Sequence, residues 1–369
     1  MNILSVGGNY KPGNTGNAKR ISTMCEQFVA LGHNVTVCTV AKAADGSLKE
    51  EQISGVNVCR FEDSNELSAN VNSVAKRYSS DVILIHNETY VRKLKAIGVD
   101  IPVVYECHAI ESNPSRLKEF ILKGLRRIYF TKSFVKAVFV LSENAKKQVN
   151  KEYKYPIENI FRTPNGVEKT EYSDRPASFG NNEDFIYGYS GTLYEFQGIK
   201  VLLQYLKQIL DIADDVKVMI VGGGHLEEEV REYVKANNLE ERVIVTGQVS
   251  QQEFDEYTSK FDVMLMPRPS NPSTESAVPL KIFDAAIHKK PVVMSNVSGL
   301  TEAFSDEAAL IYDTKNTDGF VDCCKKLYRN KELAASLVEG EKKAMEKWPS
   351  VEEVAQIQLD VMSKTVGKV

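Results

Sequence analysis

A chain of 369 residues, 43% apolar and 26% charged, has the length of roughly two globular domains, each large enough to bury its own core. A net charge of −4 gives no support to nucleic acid as a partner, and six cysteines (Cys25, Cys38, Cys59, Cys107, Cys323, Cys324) without a Cys-x-x-Cys fit reduced thiols better than a disulfide framework. The start MNILSVGG lacks the basic head and long apolar core of a signal peptide, and no run approaches ~20 apolar residues, so a cytoplasmic protein without a membrane span is expected.

Short apolar runs alternate with helical periodicity almost throughout, the pattern of parallel βαβ units. In the first half, strands are expected at 2–6, 35–40, 56–61, 82–86, 103–107 and 137–141, with helices at 18–31, 67–78 and 117–130. The turn 7–17, GGNYKPGNTGN, is longer than a strand-to-helix connection requires. Its backbone around Gly13, Asn14, Thr15 and Gly16 would face a substrate; a plain surface loop is the competing reading. His108, just past the run 103–107, is placed to hydrogen-bond a sugar or an acceptor, unless it is merely structural. The stretch 115–136 carries Arg116, Lys118, Lys123, Arg126, Arg127, Lys132 and Lys136 against the single acid Glu119, with Leu117, Phe120, Ile121, Leu125, Ile128 and Phe134 interleaved. It suits the surface of an anionic membrane, where each charge contributes about 1 kcal/mol. A solvated helix packed on its domain explains it equally well.

Turn residues and charge dominate from 164 to 184, which marks a domain boundary. The pattern then restarts, with strands at 185–190, 217–221, 243–246, 263–266 and 292–295. Helices at 200–213, 226–237, 251–259 and 280–288 lie between them, and the tail from 319 is helical, ending in 351–364. Gly222, Gly223 and Gly224 follow a strand and would let a backbone approach a ligand, although such turns often use glycine only for tightness. Neither a Gly-x-G-x-x-Gly fingerprint nor a Gly-Lys-Ser/Thr phosphate loop is present, which disfavours nicotinamide cofactors and ATP-type loops. In Pro279-Leu280-Lys281-Ile282-Phe283-Asp284, proline suits a first helical turn. Ile282, Phe283, Ala286 and Ile287 form a packing stripe, and Lys281, Asp284 and His288 share the opposite face. Lys281 and the helix start suit a diphosphate, and Asp284 suits ribose hydroxyls. The competing reading is a surface helix with an ordinary Lys–Asp pair. His33, His86, His225 and His288 make no metal motif, and no metal is expected.

Taken in order, GHNVTVCTV, FVLSENAKKQV, PNGVE, YSGTLYEFQGI, VMIVGGGHLEEEV, RVIVTGQVSQQEF, FDVMLMP and PLKIFDAAIHKKPVV resemble the GT-B glycosyltransferases of the family 4 type over nearly the whole chain. The resemblance implies two doubly wound Rossmann-like α/β domains facing across a cleft. Residues 1–168 would bind acceptor, 169–184 would link, 185–349 would bind a nucleotide-sugar donor, and a helix in 350–369 would cross back to the N-terminal domain. It implies a retaining transfer without cofactor or metal, from a nucleotide-diphosphate sugar to a glycan or lipid-linked acceptor in bacterial surface polysaccharide synthesis.

Carried over by position, the resemblance makes Asp284 the ribose acid, where the family more often has Glu. The donor site would comprise Gly191, Thr192, Gln197, Gly222, Gly223, Gly224, Arg268, Ser276, Pro279, Leu280 and Asp284. Lys281, Glu275 and His108 would take part in catalysis, and Gly13, Asn14, Thr15 and Gly16 would meet the acceptor. Three positions depart from the pattern. Thr192 and Gln197 stand where the family often has Arg and Lys on the donor diphosphate, and Ser276, with Glu275 one position off, replaces a paired Glu. Lys281 and Arg268 are the candidates to restore the charge that a diphosphate leaving group requires. A nucleotide-sugar epimerase and a non-catalytic scaffold of the same fold are the rival readings.

Overall fold

The apolar runs expected to be parallel strands are largely buried, as a sheet covered on both faces demands, except the run 243–246, where Ile244 is exposed. The computed structural model describes residues 1–13, 15–110, 115–168, 183–316 and 318–367. Asn14 and all but two residues of the expected linker 169–184 lie outside the described residues.

The chain divides into two compact units, Met1–Glu168 with Pro349–Val369, and Lys169–Trp348. In the first, β1 (Asn2–Val6), β2 (Asn34–Thr39), β3 (Glu51–Ile53), β4 (Val56–Arg60), β5 (Val82–Ile85), β6 (Val103–Cys107), β7 (Val135–Val140) and β8 (Ile160–Arg162) form one sheet in the order β3-β4-β2-β1-β5-β6-β7-β8. Only β3 is antiparallel. The second unit holds β9 (Phe185–Ser190), β10 (Val216–Val221), β11 (Val243–Val245), β12 (Val263–Met266), β13 (Val292–Ser295) and β14 (Ala309–Tyr312), all parallel, in the order β11-β10-β9-β12-β13-β14. Strand order reverses beside β1 in one sheet and beside β9 in the other. Both are doubly wound, and the crevice outside the strand C-termini at such a reversal is where these sheets bind ligands.

The sequence reading missed β3, β8 and β14 and the helices Glu88–Ile97 and Glu143–Tyr153. β3 and β8 have three residues each at sheet edges, too few for a period to register. All six cysteines are buried free thiols. No helix among the described residues is long and apolar enough to cross a membrane.

The helix Val351–Thr365 belongs to the first unit. Ser350 caps it reciprocally with Glu353, the spacing its sequence advertises. Val354, Leu359 and Met362 are buried against the helix Gly16–Ala30 and the sheet. Each such side chain contributes about 1.5–3 kcal/mol.

Candidate functional site

In the second unit, the residues singled out from sequence gather at the strand C-termini beside β9. Gly191 follows β9, Gly222–224 follow β10 and Arg268 follows β12. Gly222 and Gly224 have φ of 129° and 159°. A Cβ on Gly222 would lie 2.2 Å from the Gly191 carbonyl oxygen, and one on Gly224 would lie 2.7 Å from the Leu193 nitrogen. Leu193 N–H donates to the Gly223 carbonyl at 3.0 Å. These glycines are therefore required by the approach of two chain segments to each other, whatever else they meet.

Lys281 reaches back to this point. Its Nζ donates to the Ser190 carbonyl at 3.2 Å and stands 5.0 Å from the centre of the Tyr189 ring. Arg268 is buried; Nη1 donates to the Ala277 carbonyl at 3.2 Å and Nε has no partner among the described residues. Burial and the nearby Arg268 push the Lys281 ammonium down to about 7, against the opposing pull of Asp284. Burial likewise lowers Arg268, to about 10. Arg268 is buried and Lys281 half-buried, and the charge of one disfavours the charge of the other, an arrangement that an anion beside them would relieve.

The helix that carries Lys281 is Lys281–Ile287. Pro279 precedes it by two residues instead of opening its first turn, and Leu280 occupies the cap position. The run is too short for a strong dipole, so side-chain charge is the main electrostatic asset here. Ile287 is exposed and Ala285 takes its place in the buried stripe. The helix is so short that its packing face turns with the end of its last turn. Asp284 is half-buried one turn on from Lys281. His288 Nε2 lies 3.3 Å from an Asp255 oxygen.

Glu275 accepts from Ser270 Oγ at 2.6 Å and from Ser298 N–H at 2.8 Å. Burial alone would raise its pKa, yet these hydrogen bonds hold it below the usual carboxylate range. Ser276 is buried and donates to the Ser273 carbonyl at 3.1 Å. Thr192 is exposed, and the Gln197 Oε1 is buried without a protein donor.

In the first unit a cavity of about 310 Å³ opens between the C-termini of β5 and β6 and the helix Arg116–Tyr129. Asn17, Asn87, Arg92, His108, Leu125 and Tyr129 are among its walls. Behind His108 lies a buried polar cluster. Glu106 Oε2 is 2.9 Å from His86 Nδ1 and 3.4 Å from His108 Nε2, and the two imidazole nitrogens are 3.1 Å apart. Glu106 Oε1 accepts from Arg20 Nη2 at 2.6 Å and from Gln358 Nε2 at 2.7 Å. Burial pushes His108 down to about 3 despite the pull of Glu106, which keeps it neutral. Burial would also raise Glu106, but Arg20 and the histidines hold it well below its ordinary value. His86, Glu106 and His108 are the one grouping among the described residues that could take a metal ion. Arg20 already supplies a countercharge to the carboxylate.

Thr15 caps the helix Gly16–Ala30 by accepting from Ala18 N–H at 3.2 Å, and Gly16 has open space around its Cα. A Cβ on Gly13 would come within 3.0 Å of the Tyr10 carbonyl.

Two family models match this chain, Glycosyltransferase Family 4 over residues 15–171 and Glycosyl transferases group 1 over residues 184–330. The chain belongs to the group 1, family 4 glycosyltransferases. Over 148 residues, 40% of the chain, it is 25% identical to a 2-deoxystreptamine N-acetyl-D-glucosaminyltransferase of Niallia circulans, covering 37% of that protein. Two further curated relatives are matched over 64% and 58% of their length, so the chain spans less than two thirds of each relative. Among solved structures, Anabaena HepE in complex with UDP-glucose superposes with a TM-score of 0.79 at 18% identity, covering 99% of this chain and 100% of that one. The sucrose-phosphate synthase of Thermosynechococcus elongatus gives 0.79 at 15% identity, with all of both chains covered. These likenesses establish the GT-B fold.

The sequence singled out Lys281, Arg268 and His108 and gave no role to Arg20, His86, Glu106 or Gln358. A lone acid inside the apolar run 103–107 was the available signal, since a charge is seldom buried unless it is paired. In the basic stretch, Arg126 is buried. It pairs with Glu88 at 3.0 Å and lies 3.6 Å from Glu119 and Glu152, so it is withdrawn from the surface. Glu88 and Glu152 come from other helices, which is why Glu119 looked like the only acid. The side chain of Arg116 lies outside what is described.

Proposed function

We propose that the protein is a retaining glycosyltransferase that moves a hexose-type sugar from a nucleotide-diphosphate donor to a glycan or lipid-linked acceptor, in bacterial surface polysaccharide synthesis. The observation that carries this reading is the Lys281–Arg268 pair at the strand reversal of the second unit. Two cations match the two phosphates of a leaving nucleoside diphosphate, and they answer the loss of charge at Thr192 and Gln197. HepE, matched over its whole length, is a structure with UDP-glucose bound, which supports a nucleotide-sugar donor here.

The chemistry asks no protein nucleophile. The acceptor hydroxyl attacks the anomeric carbon on the face the diphosphate leaves and passes its proton to a donor phosphate oxygen. The protein supplies position and charge. Lys281 and Arg268 stabilise the departing diphosphate, Asp284 accepts from the ribose hydroxyls, and His108 hydrogen-bonds the sugar. No metal takes part in this scheme.

Calorimetric titration with UDP, GDP and ADP should show selective binding of one nucleotide. Asp284→Ala should weaken it about fivefold or more, two lost hydrogen bonds being worth about 1–3 kcal/mol together. No binding of any of the three would turn the assignment towards a scaffold.

The helix Arg116–Tyr129 supports contact with an anionic membrane. Leu117 and Phe120 are 70% and 76% exposed, and Ile121 and Ile128 share their side of the helix. Lys118 and Arg127 on the helix, and Lys132 just beyond its end, are exposed. Phe120→Ser with Ile121→Ser should weaken binding to phosphatidylglycerol vesicles at least tenfold, since inserting each side chain contributes about 1.5 kcal/mol or more. Vesicle binding unchanged in sedimentation would refute the membrane role.

A further inference from the structure

The buried cluster behind His108 does more than balance charge, because its distances determine where the protons sit. Glu106 Oε1 is occupied by Arg20 and Gln358. Oε2, a buried atom with no other hydrogen-bond partner, lies 2.9 Å from His86 Nδ1, a separation that two lone pairs would not tolerate, so the His86 proton is assigned to Nδ1. Its other nitrogen is then an acceptor, and Ser5 Oγ–H donates to it at 2.9 Å. The His86 N–H also lies 3.1 Å from His108 Nε2. A proton on that Nε2 would point at another N–H, with Glu106 Oε2 at 3.4 Å as its sole outlet. Left bare, Nε2 accepts a share of the His86 proton. The His108 proton is thereby forced onto Nδ1, an atom that is buried and has no partner among the described residues. His108 itself is 7% exposed and lines the cavity of the first unit.

We propose that Glu106 and His86, held by Arg20, Gln358 and Ser5, are positioning residues that lock His108 as the Nδ1–H tautomer, so that it serves a bound sugar or acceptor as a neutral hydrogen-bond donor. This rests on the glycosyl-transfer reading for the identity of what is bound, though not for the tautomer. The ligand oxygen that satisfies this orphaned N–H must be an acceptor: a hydroxyl, a ring oxygen or an anomeric oxygen. A group needing to give its proton to His108 finds no vacancy on Nδ1, and the deep desolvation of the ring opposes a second proton. On this assignment His108 acts as a hydrogen-bond donor and takes no part as a general base. Gln358 further makes the C-terminal helix a contributor to this site: its Nε2 bridges Glu106 and Thr163 Oγ1, the latter at 3.2 Å.

The test has two arms on the full chain. Two-bond proton–nitrogen correlation spectra of the histidine-labelled, ligand-free protein at neutral pH report each tautomer. His108 should show Nδ1–H and a bare Nε2, and Ser5→Ala and Glu106→Gln should each convert it to a mixture. An Nε2–H pattern in the unaltered protein overturns the proposal, as does an unshifted pattern in both variants. Ser5→Ala removes one hydroxyl and keeps every charge, so it remains informative if Glu106→Gln folds poorly. The second arm is turnover of nucleotide sugar: kcat should fall at least tenfold in Ser5→Ala with KM within about threefold. Full turnover by a tautomer-scrambled variant overturns the role given to the lock. If the unaltered protein turns over no nucleotide sugar while the tautomer is as derived, the transferase reading falls and the lock stands.

Discussion

Replacing Lys281 with methionine should lower transfer by about two to three orders of magnitude in kcat, the loss typical when one preorganised charge at a developing anion is removed. Methionine keeps the length and the contact with Tyr189, so the change isolates the charge. The nucleotide-sugar KM should move much less, because charge on the diphosphate grows mainly as the glycosidic bond breaks. Steady-state kinetics with the donor selected by titration checks this, and a kcat within threefold of the original would remove Lys281 from the mechanism. The pH dependence gives an independent handle. In the free protein Lys281 is pushed down to about 7 by burial and by Arg268. A bound diphosphate favours the protonated form, so the bound pKa lies above the free one. Binding takes up a proton between the two values. Affinity for the nucleoside diphosphate should be constant below pH 7, then fall by up to tenfold per pH unit until the bound pKa is passed. In Lys281→Met that slope should vanish. Titrations at pH 6.5, 7.5 and 8.5 measure it directly.

Much of the architecture was legible because parallel strands buried on both faces are written as continuous apolar runs. Val82–Ile85 and Val263–Met266 are examples in which composition leaves no alternative face. Lys281 and Asp284 were legible for a different reason: one helical turn sets their spacing. The charge cluster around Glu106 was hidden because its members come from four distant places: Arg20 on the first helix, His86 after β5, Glu106 and His108 at the end of β6, and Gln358 near the C-terminus. Periodicity reports one face of one element and is silent on which elements meet. The same limit explains Arg126. In the sequence it is one basic residue among seven in 115–136, yet in the fold Glu88, thirty-eight residues earlier in the chain, draws it inward. Gly222 and Gly224 illustrate the reverse case. Their presence was evident, but a positive φ and a backbone neighbour at 2.2–2.7 Å of the missing Cβ supply a reason that a turn motif alone does not.

Arg20→Met should destabilise the first unit by about 3–5 kcal/mol, the largest stability effect expected of any single substitution in the cluster. The Arg20 side chain is 3% exposed and that of Glu106 is fully buried. Besides Glu106, Arg20 donates to the Pro164 carbonyl at 2.9 Å, the Thr163 carbonyl at 2.8 Å and Asn165 Oδ1 at 3.1 Å, so its loss strands several acceptors as well as a charge. The pH dependence of the effect separates the charge from the packing. In the unaltered protein burial alone would raise the folded Glu106 pKa, but Arg20 and the two histidines together hold it well below its ordinary value. Its contribution to stability is therefore fully present above the unfolded pKa of about 4.3 and is lost as the pH falls through and below that value. Without Arg20, burial dominates and the folded pKa rises above the unfolded one. The sign reverses: the variant's deficit should be largest at neutral pH and shrink as acid neutralises Glu106. Urea unfolding at pH 7.5 and pH 5 would show it. A deficit equal at both pH values would mean that Arg20 acts through its three carbonyl and amide contacts, with its charge on Glu106 contributing little. The double variant Arg20→Met with Glu106→Gln distinguishes the two from the other side, because removing the stranded charge should recover part of the loss if charge is the cause.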